Sequence, residues 1–231
     1  MKGTCETFPG ITGVILAGGH STRMGEDKAL LKVGGVPIIQ RIRDTMQPHF
    51  QQLLLSTNHP ECYDFLALPS VRDVVPEAGP LAGIQAALTR AETERVCVVS
   101  CDAAGVTSEP IKLLCQAAVD APIVVMGDGR RLYPLMAVYH RSILPLIDER
   151  LRLRMRSMHG LLDAVGYHVI LPAGMSEGIR DQIFWNLNTP DDYSRFIRFM
   201  HPRSYVRPNR ENPITGRNAG GASLEKRQWR E

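Results

Sequence analysis

Along the first 200 residues, short apolar runs alternate with stretches whose apolar positions recur every three or four residues. The strand-length runs fall at 11–17, 52–56, 71–75, 95–100, 122–126, 133–139, 167–171 and 183–187. Between them the helical pattern occupies 37–47, 80–92, 108–120, 141–151 and 190–200. Such alternation predicts an α/β fold, a single three-layer α/β/α domain around a mostly parallel sheet. Pro37 suits a first helical turn, and Thr189-Pro190-Asp191-Asp192 combines a capping hydroxyl, an early proline and first-turn acids. Gly127-Asp128-Gly129 between two strand-like runs reads as a tight turn, which makes the sheet mixed.

After Met200 the periodicity stops and the chain becomes rich in Arg, Asn, Gly and Pro. The expected organisation is therefore a domain over 1–201 followed by a basic, flexible C-terminal tail over 202–231. Charge follows the same division. The formal net charge is +3, but the tail holds seven Lys/Arg against three Glu, so the preceding 201 residues carry −1. A body of that charge is not built to neutralise many nucleic-acid phosphates. No run approaches the roughly 18 apolar residues of a membrane helix, and the N-terminus lacks the organisation of a signal peptide, so a cytoplasmic protein is expected.

At 231 residues and 44% hydrophobic content, one sizeable core can be buried. The five cysteines show no C-x-x-C pair, and Cys97, Cys101 and Cys115 read as small core residues rather than disulfide or zinc partners. The seven histidines, His59 and His140 among them, have no metal-ligand spacing.

Candidate chemistry gathers in Val14-Ile15-Leu16-Ala17-Gly18-Gly19-His20-Ser21-Thr22-Arg23-Met24-Gly25-Glu26-Asp27-Lys28, an apolar strand running into a glycine-rich loop with two cations. Glycines let several backbone N–H groups converge on phosphate oxygens, and Arg23 and Lys28 compensate the charge. No Gly-Lys-Ser/Thr closes the loop, and its spacing does not fit G-x-G-x-x-G, so it is neither a Walker A loop nor a dinucleotide fingerprint. A second aspartate, Asp102, follows the buried run 95–101 and should lie at the carboxyl end of the sheet, where one carboxylate plus phosphates and waters can hold Mg²⁺.

Residues 16–28 match L-A-G-G-x-S-x-R-M-G-x-D-K, and the chain resembles the molybdenum cofactor guanylyltransferases, the MobA family. Gly79-Pro80-Leu81-Ala82-Gly83 is similar to that family's second nucleotide loop, Cys101-Asp102 to its metal aspartate, and Asn186-Leu187-Asn188-Thr189-Pro190-Asp191 to its N-x-N-T-P motif. The resemblance runs in order over roughly 11–200. It implies a Rossmann-like fold of the nucleotide-diphospho-sugar-transferase type. The implied activity is transfer of GMP from GTP, with Mg²⁺, to the phosphate of molybdopterin or its molybdenum-loaded form, releasing pyrophosphate.

On that resemblance Lys28, Arg23 and Asp102 are the catalytic candidates. Leu16, Ala17, Gly18, Gly19, Lys28, Asp73, Gly79, Pro80, Leu81, Gly83 and Asp102 would bind GTP, and Asp102 the metal. Gly19 stands where the related cytidylyltransferases carry alanine, which favours GTP. Asn58 sits near a family asparagine without clear register. Arg154 and Arg156, from the alternating run Arg150, Arg152, Arg154, Arg156, and the amides of Asn186 and Asn188 are candidates for the pterin side. The arginine spacing suggests an extended segment, and the asparagines would alternate on a strand and face one side. Molybdenum-insertion proteins and molybdoenzyme chaperones are the implied protein partners. Where the family usually has x-Pro after the aspartate, this chain reads Ala103-Ala104, which questions the stiffness of the metal loop. Two other readings remain open: a nucleotidyltransferase of this fold using CTP or another NTP with a different phosphorylated acceptor, and a non-catalytic GTP-binding module in cofactor delivery.

Overall fold

The structure is a computed structural model that describes residues 6–18, 27–118, 121–172, 177–185, 187 and 189–200. The tail expected over 202–231 lies outside the described residues. Strands β1 (Ile11–Leu16), β4 (Leu53–Ser56), β5 (Ser70–Val71), β6 (Arg95–Ser100), β7 (Ile123–Gly127), β8 (Leu132–His140) and β9 (His168–Ile170) form one sheet in the order β5-β4-β1-β6-β8-β7-β9. Only β8 runs antiparallel to its neighbours. It turns back from β7 where Asp128 Oδ1 accepts from the N–H groups of Arg130 and Arg131 at 2.7 Å each. A small hairpin, β2 (Lys32–Val33) with β3 (Val36–Pro37), turns on Gly34-Gly35 before the first helix.

Alternation along the strands sends side chains to two separate cores. Ile11, Ile15, Leu53, Leu55, Cys97 and Val99 pack with α1 (Ile38–Met46), α3 (Ser108–Gln116) and Phe196 of α7 (Pro190–Met200). Val14, Leu16, Leu54, Val96 and Val98 pack with α2 (Pro80–Arg90), α4 (Leu144–Arg152) and α5 (Met158–Val165) on the other face. Each fully buried aliphatic side chain contributes about 1.5–3 kcal/mol relative to exposure. The start of α7 is a reciprocal cap: Thr189 Oγ1 accepts from the Asp192 N–H at 3.1 Å, and Asp192 Oδ2 from the Thr189 N–H at 2.9 Å.

Four expectations are corrected. The run 183–187 is not a strand: α6 (Glu177–Ile183) ends there, and Phe184 and Trp185 continue its turn by donating to the carbonyls of Arg180 and Gln182. A short apolar run at a buried helix end has the same hydropathy as a strand. The alternating arginines are not extended. Arg150 and Arg152 lie on α4, whose core positions Ile147 and Leu151 are four apart, and Arg154 follows with a left-handed φ of 58°. Strand β5 stops at Val71, so Asp73 stands in the following loop. Pro37 ends β3 as the residue before α1 rather than lying within its first turn. Helix α5 was not anticipated; its signals were Ser157, whose Oγ accepts from Gly160 N–H at 3.1 Å, and Gly166 beyond its end.

Candidate active site

Order in the sheet fixes where a ligand goes. From β1 the chain passes through α1 to β4 on one side and returns through α2 to β6 on the other, so the carboxyl ends of β1 and β6 mark the point where the strand order reverses and ligands gather. Both loops leave from registered strand ends: Ala17 N–H donates to the Ser56 carbonyl at 2.8 Å, and Cys101 N–H to the Leu16 carbonyl at 2.9 Å. The cavity there has a volume of about 810 Å³, ample for a nucleotide with part of an acceptor.

Leu16, Ala17 and Gly18 line it from β1, with Lys28 from the far end of the same loop. Asp73, Gly79, Pro80 and Gly83 form a second wall, and Asp102 the third, beside Ser100 and Cys101. Nine of the expected nucleotide positions are thus together. Leu81 is not among them, since its side chain is wholly buried in the core under α2. Gly19, Arg23, Asn186 and Asn188 lie outside the described residues. Leu187, between the two asparagines, donates its N–H to the Asp102 carbonyl at 3.3 Å. Arg154 and Arg156 do not line the cavity; Arg156 Nη1 instead donates at 2.7 Å to the carbonyl of Glu77, on the wall carrying Asp73.

Backbone geometry explains the glycines of the second wall. Gly79 precedes α2 with φ 73°, a left-handed conformation that other residues resist. At Gly83 a Cβ would fall 2.7 Å from Ser56 Oγ and 3.0 Å from Leu16 Cδ2, so only glycine lets α2 press this closely on β1 and β4. The Asp102 loop is held without the missing proline. The Asp102 carbonyl accepts from Ala104 N–H at 2.9 Å as well as from Leu187, a donor that proline at 104 would lack. Ala103 and Ala104 are buried, and a Cβ on Gly105 would lie 1.9 Å from the Gln182 carbonyl oxygen.

The structure gives Asn58 its register, and it adds Tyr63 to the lining, which the sequence did not single out. Asn58 makes a reciprocal pair with Asp73, its Nδ2 donating to Asp73 Oδ2 and its Oδ1 accepting from Asp73 N–H, both at 3.0 Å. The clue lay in Asn58 itself, but the register needed to pair it with Asp73 is set by β4 and β5. Asp27 Oδ1 accepts from Ala29 N–H at 3.0 Å, capping the 3₁₀ turn Lys28–Leu30, and its Oδ2 accepts from the Tyr63 hydroxyl. Cys101 packs against the core, as expected, and also lines the cavity; burial, with Asp102 and Asp27 nearby, pushes its thiol up to about 12, which disfavours the thiolate at neutral pH.

Burial raises the Asp73 carboxyl above its ordinary value, and the Asn58 hydrogen bond offsets part of that rise. A raised folded value means the charged form costs stability above it and nothing below the unfolded value. Asp73→Asn is therefore expected to raise Tm at pH 7, the gain fading as the pH falls through the raised value, while the KM for nucleotide increases about tenfold. Thermal melts between pH 4 and 7 with parallel kinetics check this; a lower Tm at pH 7 would mean that Asn58 outweighs burial.

Charge in the cavity bears on metal. Asp27, Asp73, Glu77 and Asp102 face it against Lys28, so among the described residues the lining carries more negative than positive charge. A triphosphate would enter such a cleft with divalent cations. No cluster of three or more His, Cys, Asp or Glu able to hold a metal occurs among the described residues. A single carboxylate completed by phosphates and waters is the manner in which Mg²⁺ is commonly held, so Asp102 fits that ion.

The family model described as a MobA-like NTP transferase domain matches residues 13–166. The chain belongs to that family. Among curated relatives, the molybdenum cofactor guanylyltransferase of Serratia proteamaculans is 36% identical over 189 residues, 80% of this chain and 93% of the relative. A protein of Carboxydothermus hydrogenoformans named "Probable molybdenum cofactor guanylyltransferase" is 35% identical over 191 residues, 82% and 96% of the two chains. The crystal structure of molybdopterin-guanine dinucleotide biosynthesis protein A from Archaeoglobus fulgidus superposes with a TM-score of 0.71 at 20% identity, covering 83% of this chain and 99% of that one. That last likeness speaks to the fold. The chain is a nucleotidyltransferase of this family.

Proposed function

We propose that the protein transfers GMP from GTP to the terminal phosphate of molybdopterin, free or molybdenum-loaded, forming the guanine dinucleotide of the cofactor and pyrophosphate. The observation that carries this reading is the convergence of Gly18, Lys28, Gly79, Gly83 and Asp102 on one crevice at the carboxyl ends of β1 and β6. An oxygen of the acceptor phosphate attacks the α-phosphorus in line, and the bond to the β-phosphate oxygen breaks. Both partners are phosphates, anionic near neutral pH, so neither a base nor a covalent enzyme intermediate is needed, and catalysis rests on positioning and charge stabilisation. Lys28 lies against the triphosphate, with Arg23 adding a second cation from the same loop. Asp102 would hold Mg²⁺, which when bound offsets phosphate charge and supports the leaving pyrophosphate. Asp73, held by Asn58, with Gly79 and Gly83, takes the nucleoside.

The acceptor belongs on the Asp102 side, where Leu187 docks, which keeps Asn186 and Asn188 as candidates for the pterin phosphate. Arg156, bonded toward Glu77, fits the nucleotide wall better than the pterin. No helix among the described residues is long and apolar enough to cross a membrane, and a GTP-consuming synthesis suits the cytoplasm. Molybdenum-insertion proteins and molybdoenzyme chaperones are the partners such a product calls for.

The test is pyrophosphate release from purified protein with Mg²⁺ and molybdopterin, with and without molybdenum, comparing GTP, CTP, UTP and ATP. GTP-selective, pterin-dependent release is expected. Release with CTP would move the specificity, and silence with all four despite GTP binding would favour a non-catalytic module.

A further inference from the structure

We infer that Tyr63 is a positioning residue for Lys28: its hydroxyl, bonded to Asp27, locks the 3₁₀ turn that presents the lysine to the cavity. The inference rests on the proposed role of Lys28 and adds a residue that no motif of the sequence marks.

Lys28 opens a turn of only three residues, too short to hold its own geometry, because one hydrogen-bonded turn fixes several dihedrals for a single bond. Ala29 is buried in the core, and the side-chain restraint on the turn is Asp27. One carboxylate oxygen caps Ala29 N–H, and the other is bound across 36 residues of sequence by the Tyr63 hydroxyl. Each oxygen thus already accepts a hydrogen bond within the protein, although Asp27 faces the same cavity as Asp102. Tyr63 is a firm anchor: it is 6% exposed, in the core that contains Ile38, Leu55 and Leu66. It also sits at a break in the 3₁₀ segment Pro60–Leu66, with φ −126° and ψ 16°, so its backbone departs from the helical path there. Burial and the Asp27 carboxylate push its phenol well above the ordinary value, so it stays a hydrogen-bond donor throughout the working pH range.

The same segment follows Thr57, Asn58 and His59, which line the wall where Asn58 grips Asp73. Tyr63 thus ties the nucleoside wall to the triphosphate lysine through one hydrogen bond. Removing the hydroxyl leaves the ring in the core but frees Asp27 and with it the turn.

The experiment compares wild type, Tyr63→Phe, Lys28→Ala and the double variant by GTP-dependent pyrophosphate release and by amide hydrogen exchange. Tyr63→Phe is expected to lower kcat about tenfold with the acceptor KM within twofold. Its Ala29 N–H should exchange about fivefold faster, as a weakened cap allows. In the Lys28→Ala background the phenylalanine should add no further loss, because Tyr63 acts through the lysine. Losses that multiply in the double variant, or a Tyr63→Phe protein with wild-type rate and unchanged Ala29 exchange, would overturn the inference. If Tyr63→Phe folds poorly, Asp27→Asn serves: it offers one acceptor oxygen where two donors compete, and should speed Ala29 exchange and slow turnover with the Tyr63 ring intact. Wild type inactive with every nucleotide would refute the proposed function, and Ala29 exchange would still decide the role of Tyr63.

Discussion

Replacing Asp102 by alanine is expected to lower turnover about 10³-fold, equivalent to about 4 kcal/mol of transition-state stabilisation, while Tm changes little. The structural duties of this residue belong to its backbone: the carbonyl takes hydrogen bonds from Ala104 and Leu187, and both survive loss of the side chain. The carboxylate faces a cavity already rich in acids, and under the proposed function its worth lies in holding the cation that a triphosphate brings. Asp102→Asn, which keeps an oxygen and loses the charge, should lose nearly as much and recover part of its rate at raised Mg²⁺. Single-turnover rates across a Mg²⁺ series measure this. A variant within a few-fold of wild type at low Mg²⁺ would remove Asp102 from the metal site.

Under the proposed function, Lys28→Ala should reduce kcat/KM for GTP by about 10²-fold, the loss expected when a cation that would meet phosphate oxygens is removed. Lys28→Arg should restore only part of this, because the planar guanidinium needs different room from a point charge. Ala29 exchange should stay at the wild-type rate in Lys28→Ala, since the cap is made by Asp27. The discriminating readout is the salt dependence: wild-type KM for GTP should rise with ionic strength more steeply than that of the alanine variant. Equal slopes would mean that Lys28 does not meet the triphosphate.

Parts of the site were readable from local pattern alone because their signals are local. A strand running into glycines and cations, an aspartate just after a buried run, and Thr-Pro-Asp-Asp before an amphipathic stretch each carry their meaning within a dozen residues. The same locality misled at 183–187, where three apolar residues at the end of a short helix mimic a strand, and at Arg150–Arg156, where an every-second pattern crosses a helix end into a left-handed turn. Leu81 shows the limit of carrying a motif over residue by residue. The loop matches as a whole, but the helical turn rotates this side chain into the core while Pro80 and Gly83 face the cavity.

The sequence by itself determined the α/β alternation and the family, and it offered the glycine-rich stretch between Leu16 and Lys28 and Asp102 as phosphate and metal candidates. Those follow from hydropathy period and from chemistry spaced along a few consecutive residues. Only the tertiary structure decided that β8 lies between β6 and β7, that Asn58 holds Asp73, that Arg156 turns toward Glu77, and that Tyr63 bonds to the turn carrying Lys28. Each is a contact between segments 15 or more residues apart, or a strand's place among its neighbours. Their geometry comes from sheet order and packing, which no local window of the chain contains.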